Sequence, residues 1–268
     1  MHVDPKGKHM DANLKTNSAM STLSKVPIHS MEGLLPICTK DSQFSRLLQK
    51  ITKLGAPSSC VIENNRVVTF DNVEYDYNMR ECEHVIFKEC SAQPRVTVSV
   101  KKGATYQLVK AKIGDDSYEM KISKQGKGQR LTSLELNQNG NIKLMTGNTI
   151  TEDTIWTLAR GTHMKMFADG VVELSSVEYG LTVYADTETV EVKTYQHLLR
   201  DQSCGLCGDL NDEKTEDVKT EAQCIMSSPA MAAYSFMVKD NDCHLPQQLQ
   251  QKFDREVAAC QKRTIVPT

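Results

Sequence analysis

An all-β chain, with antiparallel sheets packed as a sandwich or barrel and short flanking helices, is predicted by three observations. About a dozen short runs between residues 60 and 195 alternate apolar with polar residues. The turns between them carry residues tolerant of positive φ, and no segment of helical period separates one run from the next.

Residues 1–37 are polar, show no sustained period of 2 or 3.6, and are punctuated by Pro5, Gly7, Pro27, Gly33 and Pro36. They are expected to form an irregular lead-in. "DSQFSRLLQKITKL", Asp41 to Leu54, sets Phe44, Leu47, Leu48, Ile51 and Leu54 on one helical face, and Gly55 with Pro57 ends it. Residues 1–59 therefore read as a polar linker with a short amphipathic helix.

The alternating runs follow: "RVVTF", "HVIFKE", "RVTVSV", "TYQLVKAKI", "SYEMKIS", "LTSLELN", "NIKLMT", "TIWTLAR", "HMKMFA", "VVELSS", "LTVYAD" and "VEVKTY". Each has the period of a strand with one face buried. Gly114-Asp115-Asp116, Asn139-Gly140-Asn141 and Asp169-Gly170 stand where hairpins need them. Trp156, flanked by Ile155 and Leu158, is expected to fill the core, and the strand methionines Met120, Met145, Met164 and Met166 are expected in the core or on a sheet face, a pliable lipid-contacting surface being the alternative. Beyond Cys243, "LPQQLQQKFDREVAACQKR" carries Leu249, Phe253, Val257 and Cys260 at helical spacing behind Pro246, so residues 244–268 read as a C-terminal helical extension.

The charge balance, 32 basic against 34 acidic residues, offers no field to recruit nucleic acid or an anionic membrane. No run has the length of a spanning segment. Nine cysteines in this arrangement read as a disulfide frame, which places the chain in an oxidising compartment. The first thirty residues lack the apolar centre of a signal peptide, so the chain reads as an internal or C-terminal piece of a longer secreted protein.

"CGLCGDLNDEKTED", Cys204 to Asp217, is the motif with chemistry to explain. A redox CxxC opens a helix in a βαβ unit, whereas this one follows an all-β stretch and leads into acidic residues. Structural zinc calls for a second close pair or histidines at matching spacing, and Cys82 with Cys90, Cys224 with Cys243, and His244 do not supply them. Asp209, Asn211 and Glu213 alternate, and Glu216 with Asp217 follow. A looping backbone turns several such oxygens toward one hard cation, and calcium takes six to eight. An EF-hand is ruled out by Lys214 where its glycine belongs and Thr220 where its final glutamate belongs. A solvated acidic turn is the plain alternative. The seven histidines are scattered, His84 and His163 within strand patterns, and no nucleophile elbow, P-loop, zinc-protease or dinucleotide motif occurs. No enzyme activity is expected.

Four separated motifs in order, "CVIENNRVVTFDNVEYDY", "CEHVIFKEC", "CGLCGDLN" and "YSFMVKDNDC", resemble the von Willebrand factor type D module from Cys60 to Cys243. "GLCGDLNDEKT" and the "YGLTVYAD" before it resemble most the C-terminal type D module of vitellogenins, particularly invertebrate ones, although the Asp-Gly-x-Arg motif of many vitellogenins is replaced by "YADTETVEV". The resemblance implies a type D module over residues 60–243, with Cys60 paired to Cys207, Cys82 to Cys243 and Cys90 to Cys204; Cys38, Cys224 and Cys260 stay unassigned. It implies a structural calcium held by Asp71, Asp209, Asn211, the Glu213 carbonyl, Glu216 and Asp217, with Glu216 standing where the family has a shorter amide. It further implies a secreted lipoprotein serving lipid transport and yolk storage. The partners would be the remainder of the lipid-binding chain, an oocyte receptor and a second copy of itself. Type D modules also serve disulfide-linked assembly in mucin-like, adhesive and clotting proteins, which is the alternative.

Overall fold

Alternation along the sequence becomes alternation in burial: Val172–Ser176 and Leu181–Ala185 each bury their first, third and fifth residues. The computed structural model describes residues 2–3, 9–15, 20–27, 57–124, 132–146, 155–167, 170–195, 199, 202–214, 217–240 and 243–264. Two units divide the chain, Met1–Pro57 and Ser58–Thr268.

In the first unit, β1 (His2–Val3), β2 (His9–Lys15) and β3 (Met20–Pro27) form an antiparallel sheet in that order. This corrects the expectation of an irregular lead-in. Met10, Ala12 and Leu14 do alternate along β2, but with only three small or flexible apolar residues the period is easily lost among polar neighbours. The helix expected over residues 41–54 lies outside the described residues.

Among the described residues, the second unit contains fifteen strands in two sheets. The eight-stranded sheet has the order β13 (Ile155–Thr157), β14 (Thr162–Met166), β15 (Val172–Ser176), β16 (Leu181–Ala185), β17 (Thr189–Tyr195), β4 (Pro57–Glu63), β5 (Arg66–Val68) and β6 (Glu74–Asp76). The seven-stranded sheet runs β12 (Asn141–Thr146), β11 (Thr132–Gln138), β10 (Asp116–Lys124), β9 (Tyr106–Ile113), β8 (Val96–Lys102), β7 (Glu83–Glu89) and β18 (Ser203–Cys204). Every run read as a strand holds one, although in "TIWTLAR" it covers only Ile155–Thr157 and a 3₁₀ turn, Ala159–Gly161, follows.

Register follows from the turns. Ile113 pairs with Asp116 across Gly114 and Asp115, and Gln138 pairs with Asn141 across Asn139 and Gly140, both of which take positive φ (51° and 88°). Asp169 lies outside the described residues. The inner faces of the two sheets meet in one core, in which Ile62, Val67, Leu174 and Val192 join Val98, Val109, Met120, Ile122 and Leu134. Met164 and Met166 are buried as expected. Trp156 packs on the core while remaining half-buried, and its neighbour Ile155 is 60% exposed, because β13 is an edge strand only three residues long.

Two short helical pieces follow the irregular segment beyond β18. Helix α1 (Pro229–Ala233) is capped by the Ser228 side chain, which accepts from Met231 N, and a 3₁₀ turn, Tyr234–Phe236, continues it. Helix α2 (Gln247–Thr264) is the predicted extension, with Leu249, Phe253, Val257 and Cys260 half-buried on one face. It is tied back covalently by Cys224–Cys260, and Glu256 accepts hydrogen bonds from Ser227 N and Oγ, both at 2.8 Å. Among the described residues no helix is long and apolar enough to cross a membrane.

Candidate metal site

The CxxC is divided between two bridges. Cys207 pairs with Cys60 on β4 and Cys204 with Cys90 just past β7, at Cα separations of 5.6 and 5.9 Å, while Cys82 joins Cys243 at 5.6 Å. All three pairings are those the resemblance implied. The fourth bridge, Cys224–Cys260, uses two of the three cysteines left unassigned; Cys38 lies outside the described residues. With both thiols of the CxxC bonded elsewhere, neither forms a dithiol with the other, and the redox and zinc readings lose their ligands.

The backbone between the bridged cysteines lies against β7. Gly205 adopts φ 128° there, and a Cβ on it would strike the Ile86 carbonyl, so only glycine lets the chain pass. Cys207 N donates to Ile86 O at 2.9 Å, and the Tyr75 hydroxyl donates to Leu206 O at 2.8 Å. On the opposite side, Phe70 N donates to Cys207 O at 3.1 Å and the Phe70 ring packs edge-on against Phe87, with centroids 5.5 Å apart. These contacts bring the turn after β5, which holds Asp71, beside the acidic loop.

Asp71 is buried, and its Oδ2 accepts from the N–H groups of Asn211 and Asp212, each at 2.9 Å. Leu210 and Asp212, at φ 60° and 71°, let the backbone turn both donors toward it. Asp217 is buried as well. Its Oδ2 accepts from Thr69 Oγ1 and its Oδ1 from Asp209 N at 3.3 Å. Gly208 (φ 84°) passes so close to Asp217 that a Cβ would overlap the carboxylate. Asn211 bridges the loop internally, its Nδ2 donating to Asp209 Oδ2 at 3.0 Å and its Oδ1 accepting from Glu213 N at 2.6 Å. Lys219 Nζ stands 3.4 Å from Asp209 Oδ2.

Asp71, Asp209 and Asp217 thus each place a carboxylate oxygen within 4.8 Å of the others. Burial pushes the Asp217 carboxyl up to about 7; the Thr69 hydrogen bond opposes this and the nearby Asp71 charge adds to it. Three clustered carboxylates with an amide oxygen beside them form an oxygen-only, anionic donor set, which suits a hard cation and not a soft one.

Of the six residues expected to bind metal, Asp71, Asp209, Asn211 and Asp217 come together here. Glu213 has an exposed side chain and donates its backbone N–H to Asn211 Oδ1, a contact that does not involve the carbonyl expected to bind, and Glu216 lies outside the described residues. Sequence reading missed Thr69 and Lys219. Thr69 lies two residues before Asp71 on the same side of the turn, a spacing that could have flagged it; a lysine two residues after an aspartate carries no signal of its own.

Residues 60–223 match the von Willebrand factor type D domain, well over half of the chain. A vitellogenin of Acipenser transmontanus is 29% identical over 178 residues, covering 65% of this chain and 10% of that protein. Vitellogenin-5 of Caenorhabditis elegans is 25% identical over 91% of the chain and 14% of its own length, and Vitellogenin-6 of the same species is 27% identical over 94% and 15%. The likeness to the Caenorhabditis elegans proteins therefore extends past the matched domain, while the chain spans only about a tenth to a seventh of the relatives. Because that match covers more than half of the chain, the chain belongs to the von Willebrand factor type D domain family, and its similarity is to the vitellogenins.

Proposed function

We propose that this chain is the calcium-binding, disulfide-stabilised type D module of a secreted, vitellogenin-like lipoprotein that transports lipid and is stored as yolk. The observation that carries the calcium reading is the convergence of Asp71, Asp209 and Asp217, from segments about 140 residues apart in sequence, at the point where Cys207 is bonded to Cys60. Calcium, when bound, would neutralise these carboxylates and complete its shell with further oxygens. Asp71 and Asp217 would hold it from the two sides of the loop, Asn211 would orient Asp209, and Thr69 would fix the Asp217 carboxylate. The role would be structural, because Asp71 and Asp217 are buried and hydrogen-bonded to other segments of the fold.

Lipid carriage, secretion, receptor binding and self-association rest on the similarity to vitellogenins and belong to the whole protein, of which this chain is a small share. The module's part would be to cover or dock beside the lipid-binding region. Three measurements test the reading. Elemental analysis of the calcium-loaded and dialysed chain should find one bound calcium, lost in Asp217→Ala, and the full-length parent should copurify with phospholipid and run as a non-covalent species on a non-reducing gel. Covalent multimers without lipid would instead identify an assembly module.

A further inference from the structure

Lys219 follows Asp217 by two residues, and an antiparallel backbone bridge to Ile225 sets its position. Its side chain is only 18% exposed, and it reaches the half-buried Asp209 on the oxygen that also accepts from Asn211. Lys219 shares a small recess with Ser203, Gly208, Asp209 and Asp217, so its ammonium shares a wall with the acidic cluster. A lysine held this way gives up much of its side-chain freedom, which solvent would otherwise retain. The charges explain why it is held: Asp71, Asp209 and Asp217 place carboxylate oxygens within 4.8 Å of one another, and an ammonium beside Asp209 offsets part of their mutual repulsion in the ion-free loop.

Resting on the calcium reading above, we propose that Lys219 is a tethered cation of this site that holds Asp209 in the ion-free loop and weakens calcium binding by repulsion. Both effects act in the same direction, lowering affinity, and the second scales with the charge of the bound ion. Removing the ammonium should tighten calcium binding about tenfold, for a partly screened unit charge several ångströms from a divalent ion, and should tighten binding of a trivalent ion about thirtyfold.

The experiment is calorimetric titration of the chelator-treated chain with calcium, and luminescence titration with terbium, for the wild type, Lys219→Met, Lys219→Gln, Lys219→Arg and Asp209→Ala. The two neutral variants should bind calcium more tightly and gain still more for terbium, and Lys219→Arg should stay near the wild type. If the wild type binds calcium, Asp209→Ala does not, and both neutral variants bind no more tightly than the wild type, the lysine proposal is overturned while the calcium reading stands. Equal gains for the two ions would also overturn it, since a change in loop shape would not follow ionic charge. If the wild type binds neither ion, the calcium reading itself fails, and the proposal with it.

Discussion

From Val96 to Tyr195 the described chain doubles back through hairpins whose partners are neighbours in sequence, whereas from Ser203 to Thr220 it has a single two-residue strand and follows an irregular course. The first region buries alternate Val, Ile, Leu and Met side chains and satisfies its backbone in ladders. The second is held by bonds to distant segments, with disulfides spanning 147 and 114 residues and Asp71 accepting two loop N–H groups from about 140 residues away. Local pattern is enough to specify a hairpin, but an irregular loop that gathers carboxylates must be held from outside.

The largest expected effect tests that covalent hold. Replacing Cys60 and Cys207 together by alanine should cost about 5 kcal/mol by loop-closure entropy, and chemical denaturation should show the loss as a shifted midpoint. In the hairpin region, Leu174→Ala, at a fully buried position on β15, should cost about 3 kcal/mol by the same measurement. It should leave metal binding intact, since Leu174 is no part of the cluster.

Acid probes the junction between the regions. His84, buried on β7 two residues from the Cys82 bridge, must carry its proton on Nδ1 to donate to the Cys82 carbonyl at 3.0 Å, so Nε2 accepts from the Tyr77 hydroxyl at 2.8 Å. Burial lowers its pKa to about 4 against 6.5 in the unfolded chain, so below 6.5 the unfolded state binds more protons. The stabilisation is complete above pH 6.5 and is lost as pH falls toward 4, about 3 kcal/mol in all. Asp217 acts in the opposite sense: its raised pKa makes the metal-free chain lose stability as pH rises from about 4 through 7. Comparing melting curves of metal-free wild type and His84→Gln across this range isolates the histidine, and the variant should gain stability relative to the wild type as pH falls from 6.5 to 4. The smallest effect is local: Ser228→Ala removes the cap of α1 and should cost about 1 kcal/mol in the same melts.

How much of this could be read from sequence follows the same division. The strands from β7 to β17 were legible because Val98-Ser99-Val100 or Leu134-Glu135-Leu136 states its two faces within a few residues. β6 and β18 were not, since three and two residues show no period and pair only because β5 and β7 hold them. The acidic loop was visible through its alternating Asp209, Asn211 and Glu213, but Asp71 and the bridges came only from resemblance, because nothing local in "TFDN" points to a loop far along the chain. Thr69, Lys219 and the Cys224–Cys260 bridge escaped for the same reason: each acts through a fold-made contact.

The central claim is that calcium completes what the disulfides begin at this loop. The melting temperature of the chelator-treated chain, followed as calcium is added, tests it most directly, with Asp71→Ala and Leu174→Ala beside the wild type. The account predicts a rise for the wild type and for Leu174→Ala, about 2.7 kcal/mol of added stability at a hundredfold excess over Kd, and no rise for Asp71→Ala. A wild-type melting temperature that does not move with calcium would contradict it and leave the loop held by its bridges and hydrogen bonds alone.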